Sequence, residues 1–534
     1  MKHLYDKLTE YASGRDYPYH MPGHKRRAFG EMPSDVYEMD VTEIDGFDDL
    51  HAPEGILKEL QERVARLYGA DESFCLVGGS TAGILAALSA ALPEGGHLLM
   101  ARNCHKSAYH AAYLRNLKLT YLLPEVMDEF GICDGLQPEE IKRALENAPD
   151  VQAVLIVSPT YEGRISPVRE IAKMVHAHGK ILIVDEAHGA HLGLAGRSRN
   201  RRGPAGDAIG GHSGLTGDVL LQENSCQAGA DLVIHSVHKT LPAMTQTALL
   251  HVNGERVDRE RLRRFLRIYQ SSSPSYVLMA SIDNAVTMME QDGEKLYGDL
   301  VRNFAWLTKE LSACRHFRFP GVKTPEDVEM QEGAEKQEGL GDCGNAGRIG
   351  TRAVRQDLGK LVIHAGTSGL TGQQIYDVLR DRYHLQLEMA AGDYCLAMFT
   401  VGDTPEGYQR MRDALLEMDE LADELKKELE NSRNEVCREV AAGKADGELP
   451  GAFEPVVARS LKEAWDAPWE EIPLSGCEGR ISAEFVNLYP PGTPIVTPGE
   501  VFTKEIVQAL FQYQAQELRL RGVSTKGTVR CLTD

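Results

Sequence analysis

The stretch Lys180-Ile181-Leu182-Ile183-Val184-Asp185-Glu186-Ala187-His188 decides how this chain is read. Four consecutive apolar residues with no alternation read as a strand buried on both faces. An aspartate that ends such a strand is costly unless a cation or a hydrogen-bond donor meets it. A solvated strand end is the simpler alternative. The letters Asp-Glu-Ala-His also occur in helicases, but no Gly-x-x-x-x-Gly-Lys-Ser/Thr loop exists in the chain, which removes that reading.

Outward from this strand the same pattern repeats. Apolar runs occupy residues 74–77, 97–101, 119–123, 153–158, 231–236 and 247–252. Helical spacing marks Ile56 to Gly69, Thr81 to Leu92, His105 to Asn116 and Pro167 to Gly179. Strands interleaved with helices predict an α/β domain with a mostly parallel sheet covered on both faces. The expected division is an N-terminal arm over residues 1–50 and a large domain over 51–310. A small α/β domain over 311–445 and a C-terminal unit over 446–534 follow. The small domain carries KLVIHA, TGQQIYDVLRDRYH, YCLAMFTV and a charged helix from about Tyr408 to Ala442.

Composition excludes several classes. The 58 Lys+Arg against 79 Asp+Glu give a formal charge of −21, which repels phosphate backbones and argues against nucleic acid as a partner. Ser73 to Pro93 holds no charged residue, but Gly78, Gly79 and Gly83 break it into strand, turn and helix, so no membrane span is expected. The ten cysteines form no Cys-x-x-Cys pair, and the charged N-terminus is no signal peptide, so a reducing cytoplasm is expected and no metal. The basic Arg197 to Gly203 piece, the wider 197–217 stretch and the polar 325–350 stretch read as surface loops and receive no function.

Ligands of open α/β sheets sit beyond the carboxyl ends of the strands. Gly78-Gly79-Ser80-Thr81-Ala82-Gly83 follows one strand and opens a helix, a turn whose N–H groups and dipole suit an anion. A tight strand–helix turn is an equal reading of it alone. Ser236-Val237-His238-Lys239-Thr240 ends another strand, and a partly desolvated lysine there can attack a carbonyl as a neutral amine. Taken singly, Lys239 reads as a surface lysine. Together, cradle, acid and lysine match what pyridoxal phosphate needs: an amine for its carbonyl, an acid for its ring nitrogen and donors for its phosphate.

The order of these three segments resembles the aspartate-aminotransferase-like fold. Further segments sharpen the resemblance: Met21-Pro22-Gly23-His24-Lys25, Thr42 to Asp45 with Asp48 to His51, Arg102 to Ser107, Ser158 to Gly163, Ser271 to Tyr276 and the late Tyr489-Pro490-Pro491-Gly492. The chain resembles the ornithine/lysine/arginine decarboxylase family over most of its length. The resemblance implies that Lys239 forms the imine with pyridoxal 5'-phosphate, Asp185 binds the pyridine nitrogen and His105 stacks on the ring. Ala187 and His188 would lie near the other face or the ring oxygen, with Lys239 or a nearby histidine returning a proton. Ser80, Thr81, Ala82, Ser236 and His238 would surround the phosphate. Ser272 or Ser273 would reach the neighbouring subunit's site in a homodimer with shared active sites.

The implied reaction converts a basic L-amino acid to an amine and carbon dioxide, with arginine and lysine ahead of ornithine. The substrate's cationic side chain needs a carboxylate. Asp48 and Glu484 are the leading candidates, with Asp45, Asp49 and Glu54 behind them. Met21 lies so near the start that no N-terminal wing is expected, which favours a dimer over a large ring. Two rivals remain: an aminotransferase or carbon–sulfur lyase, with Arg352 or Arg355 as the carboxylate clamp, and an inactive cofactor-binding regulator.

Overall fold

The structure is a computed structural model that describes residues 3–13, 34–127, 129–194, 223–322, 355–432, 453–488, 493–515 and 518–533. The chain forms two compact units. The first comprises Met1–Leu122, Pro138–Pro159 and Val168–Asp299; the second comprises Leu123–Gln137, Thr160–Pro167 and Leu300–Asp534.

The first unit is built on seven strands: β1 (Glu72–Leu76), β2 (His97–Ala101), β3 (Lys118–Leu122), β4 (Ala153–Val157), β5 (Ile181–Asp185), β6 (Leu232–His235) and β7 (Ala248–Val252). Their order is β1-β7-β6-β5-β4-β2-β3. From β6 to β3 every pairing is parallel, as the continuous apolar runs predict. β7 is the exception and runs antiparallel to both β6 and β1. Residues 236–247 join β6 to β7, and their helix, Val237–Thr240, is a single turn rather than the full helical crossover that usually returns a parallel strand. β1 therefore points the same way as β2, β5 and β6.

The uncharged Ser73 to Pro93 stretch resolves as β1, a glycine turn and α1 (Gly79–Ala91), a helix buried along most of its length. A Cβ at Gly83 would stand 2.8 Å from Leu76 Cδ1 and 3.2 Å from Ile234 Cγ2. Glycine there lets α1 lie close on β1 and β6. Among the described residues no helix is long and apolar enough to cross a membrane.

The second unit holds an antiparallel sheet of β8 (Lys360–His364), β9 (Met389–Ala391) and β10 (Tyr394–Met398), in the order β8-β10-β9. The helix Gly372–Asp381 beside it starts at a capping box of Thr371 and Gln374. The charged helix expected from about Tyr408 to Ala442 is two helices, Pro405–Glu420 and Ala422–Ser432, broken at Leu421; residues beyond 432 lie outside the described ones. Toward the C-terminus, Phe453, Phe502, Leu510, Tyr513 and Val529 belong to a separate apolar cluster.

The core of the first unit also contains two histidines. His235 ends β6 and His251 lies in β7, both fully buried, with ring centroids 4.8 Å apart. Tyr68 packs against both rings. Burial disfavours the imidazolium, pushing His235 down to about 3 and His251 well below the ordinary range. Both are neutral in the folded protein. The unfolded chain takes up their protons first, near pH 6.5, so their contribution is present above that pH and lost as pH falls below it. Calorimetry of the cofactor-free protein should show Tm dropping as pH falls from about 6.5 to 4, with a shallower slope for His251→Gln. An unchanged slope in that variant would contradict this assignment.

Candidate active site

Because β1, β2, β5 and β6 run the same way, the segments that follow them emerge at one edge of the sheet. β5 ends at Asp185, and β6 leads through Ser236 into α2 (Val237–Thr240), which carries Lys239. β2 leads to His105, the N-cap of the helix Lys106–Leu114, and β1 leads to the glycine turn before α1.

Lys239 is half-buried, and its Nζ lies 3.0 Å from His188 Nε2. The same ammonium charge acts on Asp185, His105 and His238. These residues, far apart in sequence, therefore share one corner. Asp185 is 5% exposed. Burial pushes its carboxyl above the ordinary range, while the Lys239 charge and the Ala187 N–H, 3.2 Å from Oδ1, pull it back. A carboxylate in that position is best satisfied by a protonated ring nitrogen.

His105 has an exposed side chain whose Nδ1 accepts from Ser107 N–H at 3.3 Å and lies 2.8 Å from Ser107 Oγ. The protein packed around it, and then the charges of Lys239 and Lys106, hold it down to about 4. At neutral pH it offers an uncharged flat ring. His238 is anchored differently, with Nδ1 2.8 Å from Thr247 O, so that this nitrogen carries the hydrogen.

The anion cradle rests on two consecutive residues. Gly79 N–H donates to Gln246 O at 2.9 Å, and Val237 N–H donates to Thr247 O at 3.1 Å. This brings the start of α1 and the start of α2 to one strand end. No side chain caps α1. Ser80 and Thr81 stand in its first turn, half-buried and exposed respectively, with Ala82 buried behind them. The Ser236 and Thr240 hydroxyls are buried and have no hydrogen-bond partner among the described residues. Buried orphan hydroxyls beside an uncapped helix start are what phosphate oxygens would satisfy. The residues present thus fit pyridoxal phosphate.

Other candidates fare differently. Asp48 accepts four backbone N–H bonds: Asp49 and Glu54, both at 2.9 Å, on Oδ1, and Gly55 at 2.8 Å and Leu57 at 3.0 Å on Oδ2. Burial raises its carboxyl, but those donors outweigh burial and hold it below the ordinary range. It fastens the start of the helix Ile56–Tyr68 and has no oxygen to spare. Glu484 belongs to the second unit. Its Oε1 accepts from Phe485 N–H at 2.9 Å, and its Oε2 is only loosely met by Arg530 at 3.4 Å. It lines a cavity of about 420 Å³ with Glu471, Asn487 and Arg521. Ser273 is exposed and donates its N–H to Ser271 Oγ. Arg355 is exposed on a short strand. Met21 to Lys25, Arg352, Tyr489 to Gly492 and the 197–217 and 325–350 stretches lie outside the described residues.

The sequence reading passed over Glu186, although it stands in the quoted motif. It is 2% exposed and lies behind the site, bonded to Ser225 and His235. The available signal was His251, a polar residue inside an otherwise apolar strand.

The family model described as Orn/Lys/Arg decarboxylase, major domain, matches residues 2–337, and that of the C-terminal domain matches residues 453–526. The chain is 29% identical over 527 residues to an arginine decarboxylase of Bacillus subtilis, covering 97% of this chain and 95% of the relative. It is 25% identical to the constitutive lysine decarboxylase of Escherichia coli, covering 93% of this chain and 75% of the relative. A lysine decarboxylase structure from Francisella novicida shares the fold, with a TM-score of 0.78 at 18% identity, over 99% of this chain and 81% of that one. With the major-domain match covering well over half its length, this chain belongs to the Orn/Lys/Arg decarboxylase family.

Proposed function

We propose that this chain decarboxylates a basic L-amino acid, arginine or lysine ahead of ornithine, using pyridoxal 5'-phosphate held at Lys239. The observation that carries the reading is the 3.0 Å approach of Lys239 Nζ to His188 Nε2, with Asp185 buried under the influence of the same lysine. When bound, the cofactor supplies an electron-withdrawing ring that can accept the electron pair of the breaking Cα–carboxylate bond.

The protein's own groups do the rest. Asp185 keeps a proton on the ring nitrogen, because a buried carboxylate is stabilised by a cation at contact. His105 packs an uncharged ring face, avoiding repulsion with Lys239. Ser236, His238 and the start of α1, with Ser80, Thr81 and Ala82, hold the phosphate. Ala187 and His188 follow Asp185 on the same turn. His188 Nε2 and Lys239 Nζ can share one proton along their hydrogen bond, and either can deliver it to Cα as carbon dioxide leaves. One proton is consumed for each amine formed.

The family match and the −21 charge support a small cationic substrate. Among the candidate carboxylates, Glu484 has the looser partner, whereas Asp48 is saturated by backbone donors. The exposed Ser273 supports a homodimer in which this segment completes a neighbour's site. The eight cysteines among the described residues form no disulfide, which supports a cytoplasmic setting.

Purified protein with cofactor and each of arginine, lysine and ornithine should release the corresponding amine and carbon dioxide. Keto-acid product would favour an aminotransferase, and the absence of product a regulator. Lys239→Ala should lose the visible absorbance of bound cofactor and lower kcat at least ~1,000-fold; retained turnover would sink the assignment. Glu484→Gln should raise KM for the basic substrate about tenfold or more without weakening cofactor binding. Asp48→Asn should lower Tm while leaving KM unchanged. Were Asp48→Asn the variant that raised KM, the substrate carboxylate would have to be reassigned.

A further inference from the structure

Glu186 begins a line of buried polar side chains that crosses four adjacent strand positions. Its Oε1 accepts from Ser225 Oγ–H at 2.7 Å, and its Oε2 accepts from Ser225 N–H at 3.0 Å. Oε2 also lies 2.6 Å from His235 Nε2. His235 Nδ1 is 3.0 Å from His251 Nε2, and His251 Nδ1 is 2.7 Å from Ser73 Oγ. Strand register explains the line: β6 and β7 place His235 and His251 two residues out of step, and His251 faces Ser73 directly across β7 and β1.

The position of the Glu186 end matters most. Glu186 is the residue after Asp185, and His235 is the residue before Ser236. Their hydrogen bond therefore joins the turn that carries Asp185 and His188 to the turn that carries Ser236 and Lys239. Ser236 N–H donates to Ala187 O at 3.3 Å, and Gly189 N–H donates to Glu186 O at 2.8 Å. A Cβ at Gly189 would stand 2.6 Å from Glu186 Cγ. The Asp185–His188 turn is folded directly over the Glu186 side chain.

We propose that Glu186 is a positioning residue: its bond to His235 locks the Asp185–His188 turn onto the Ser236–Lys239 turn, and the line through His251 to Ser73 holds the His235 ring at the angle this bond requires. The proposal rests on the reading of Lys239 as the reactive amine. Hydrogen-bond polarity makes it testable. A carboxylate only accepts, so His235 must carry its hydrogen on Nε2, His251 likewise, and Ser73 donates. A protonated Glu186 instead donates to His235 Nε2, and the line reverses, with both rings protonated on Nδ1. Burial pushes Glu186 up to about 8 against the donors of Ser225, so both polarities lie within reach of experiment. The other titratable side chains around it are His191, Tyr68 and Cys226; burial holds the Tyr68 phenol in its neutral form.

The decisive measurement is ¹⁵N NMR of the histidine rings in cofactor-free protein, set beside kinetics of Glu186→Gln and Glu186→Leu. In the wild type the His235 hydrogen should move from Nδ1 to Nε2 as pH rises through about 8. Glu186→Gln keeps the shape and an amide N–H toward His235, so His235 should stay Nδ1–H throughout, with kcat within roughly threefold of wild type. Glu186→Leu breaks the tie. It should lower kcat about 100-fold and weaken cofactor binding, with KM for the amino acid unchanged. Wild-type kcat and cofactor affinity in Glu186→Leu would overturn the proposal. So would a pH-dependent His235 tautomer in Glu186→Gln, which is isosteric and expected to fold even where the leucine variant does not. A wild type that forms no amine would overturn the Lys239 reading instead, while the ring tautomers, read without cofactor, would still decide whether the tie exists.

Discussion

A carboxylate buried at the end of β5 is the constraint around which the site is arranged. Asp185 cannot stay charged in that place without compensation, and one ordinary N–H bond from Ala187 supplies only part of it. The positive charge of Lys239 supplies more, and a protonated ring nitrogen would supply the rest. On the proposed reading, cofactor, acid and lysine are mutually dependent. Each would be a poor choice at its position without the other two.

Desolvation and neighbouring charge sort the histidines. His105, His235 and His251 are all held neutral, for different ends. His105 stands open beside a cation and must not repel it. His235 and His251 lie inside the sheet, where a neutral ring can both donate and accept and so can carry a hydrogen-bond line from strand to strand. His188, in contact with Lys239, is the one placed to exchange a proton with it. Residue type alone does not tell these histidines apart; their burial and their partners do.

Much of the first unit was legible from pattern, since apolar runs of four to six residues with no alternation, set between longer helical segments, fit buried strands of a covered sheet. The reversal of β7 was not, because it depends on the path that residues 236–247 take after β6. Within the site, the Lys239, Asp185 and His105 motifs pointed to the chemistry, and the structure brings them together. The four backbone N–H groups that Asp48 accepts were not legible, because they leave no trace in side-chain identity. Glu186 was overlooked for the converse reason: its partners, His235 and Ser225, lie 49 and 39 residues away.

The sequence by itself determined the fold class, the cofactor chemistry and the family, because each depends on residue type in a fixed order along the chain: apolar runs, a glycine turn, an acid and a lysine at strand ends. Only the tertiary structure decided which acids are available to a ligand and which are occupied by the protein itself. It also revealed the buried line behind the site. Those outcomes turn on which donors converge on a given oxygen, and convergence is a property of strand register and turn geometry rather than of residue identity.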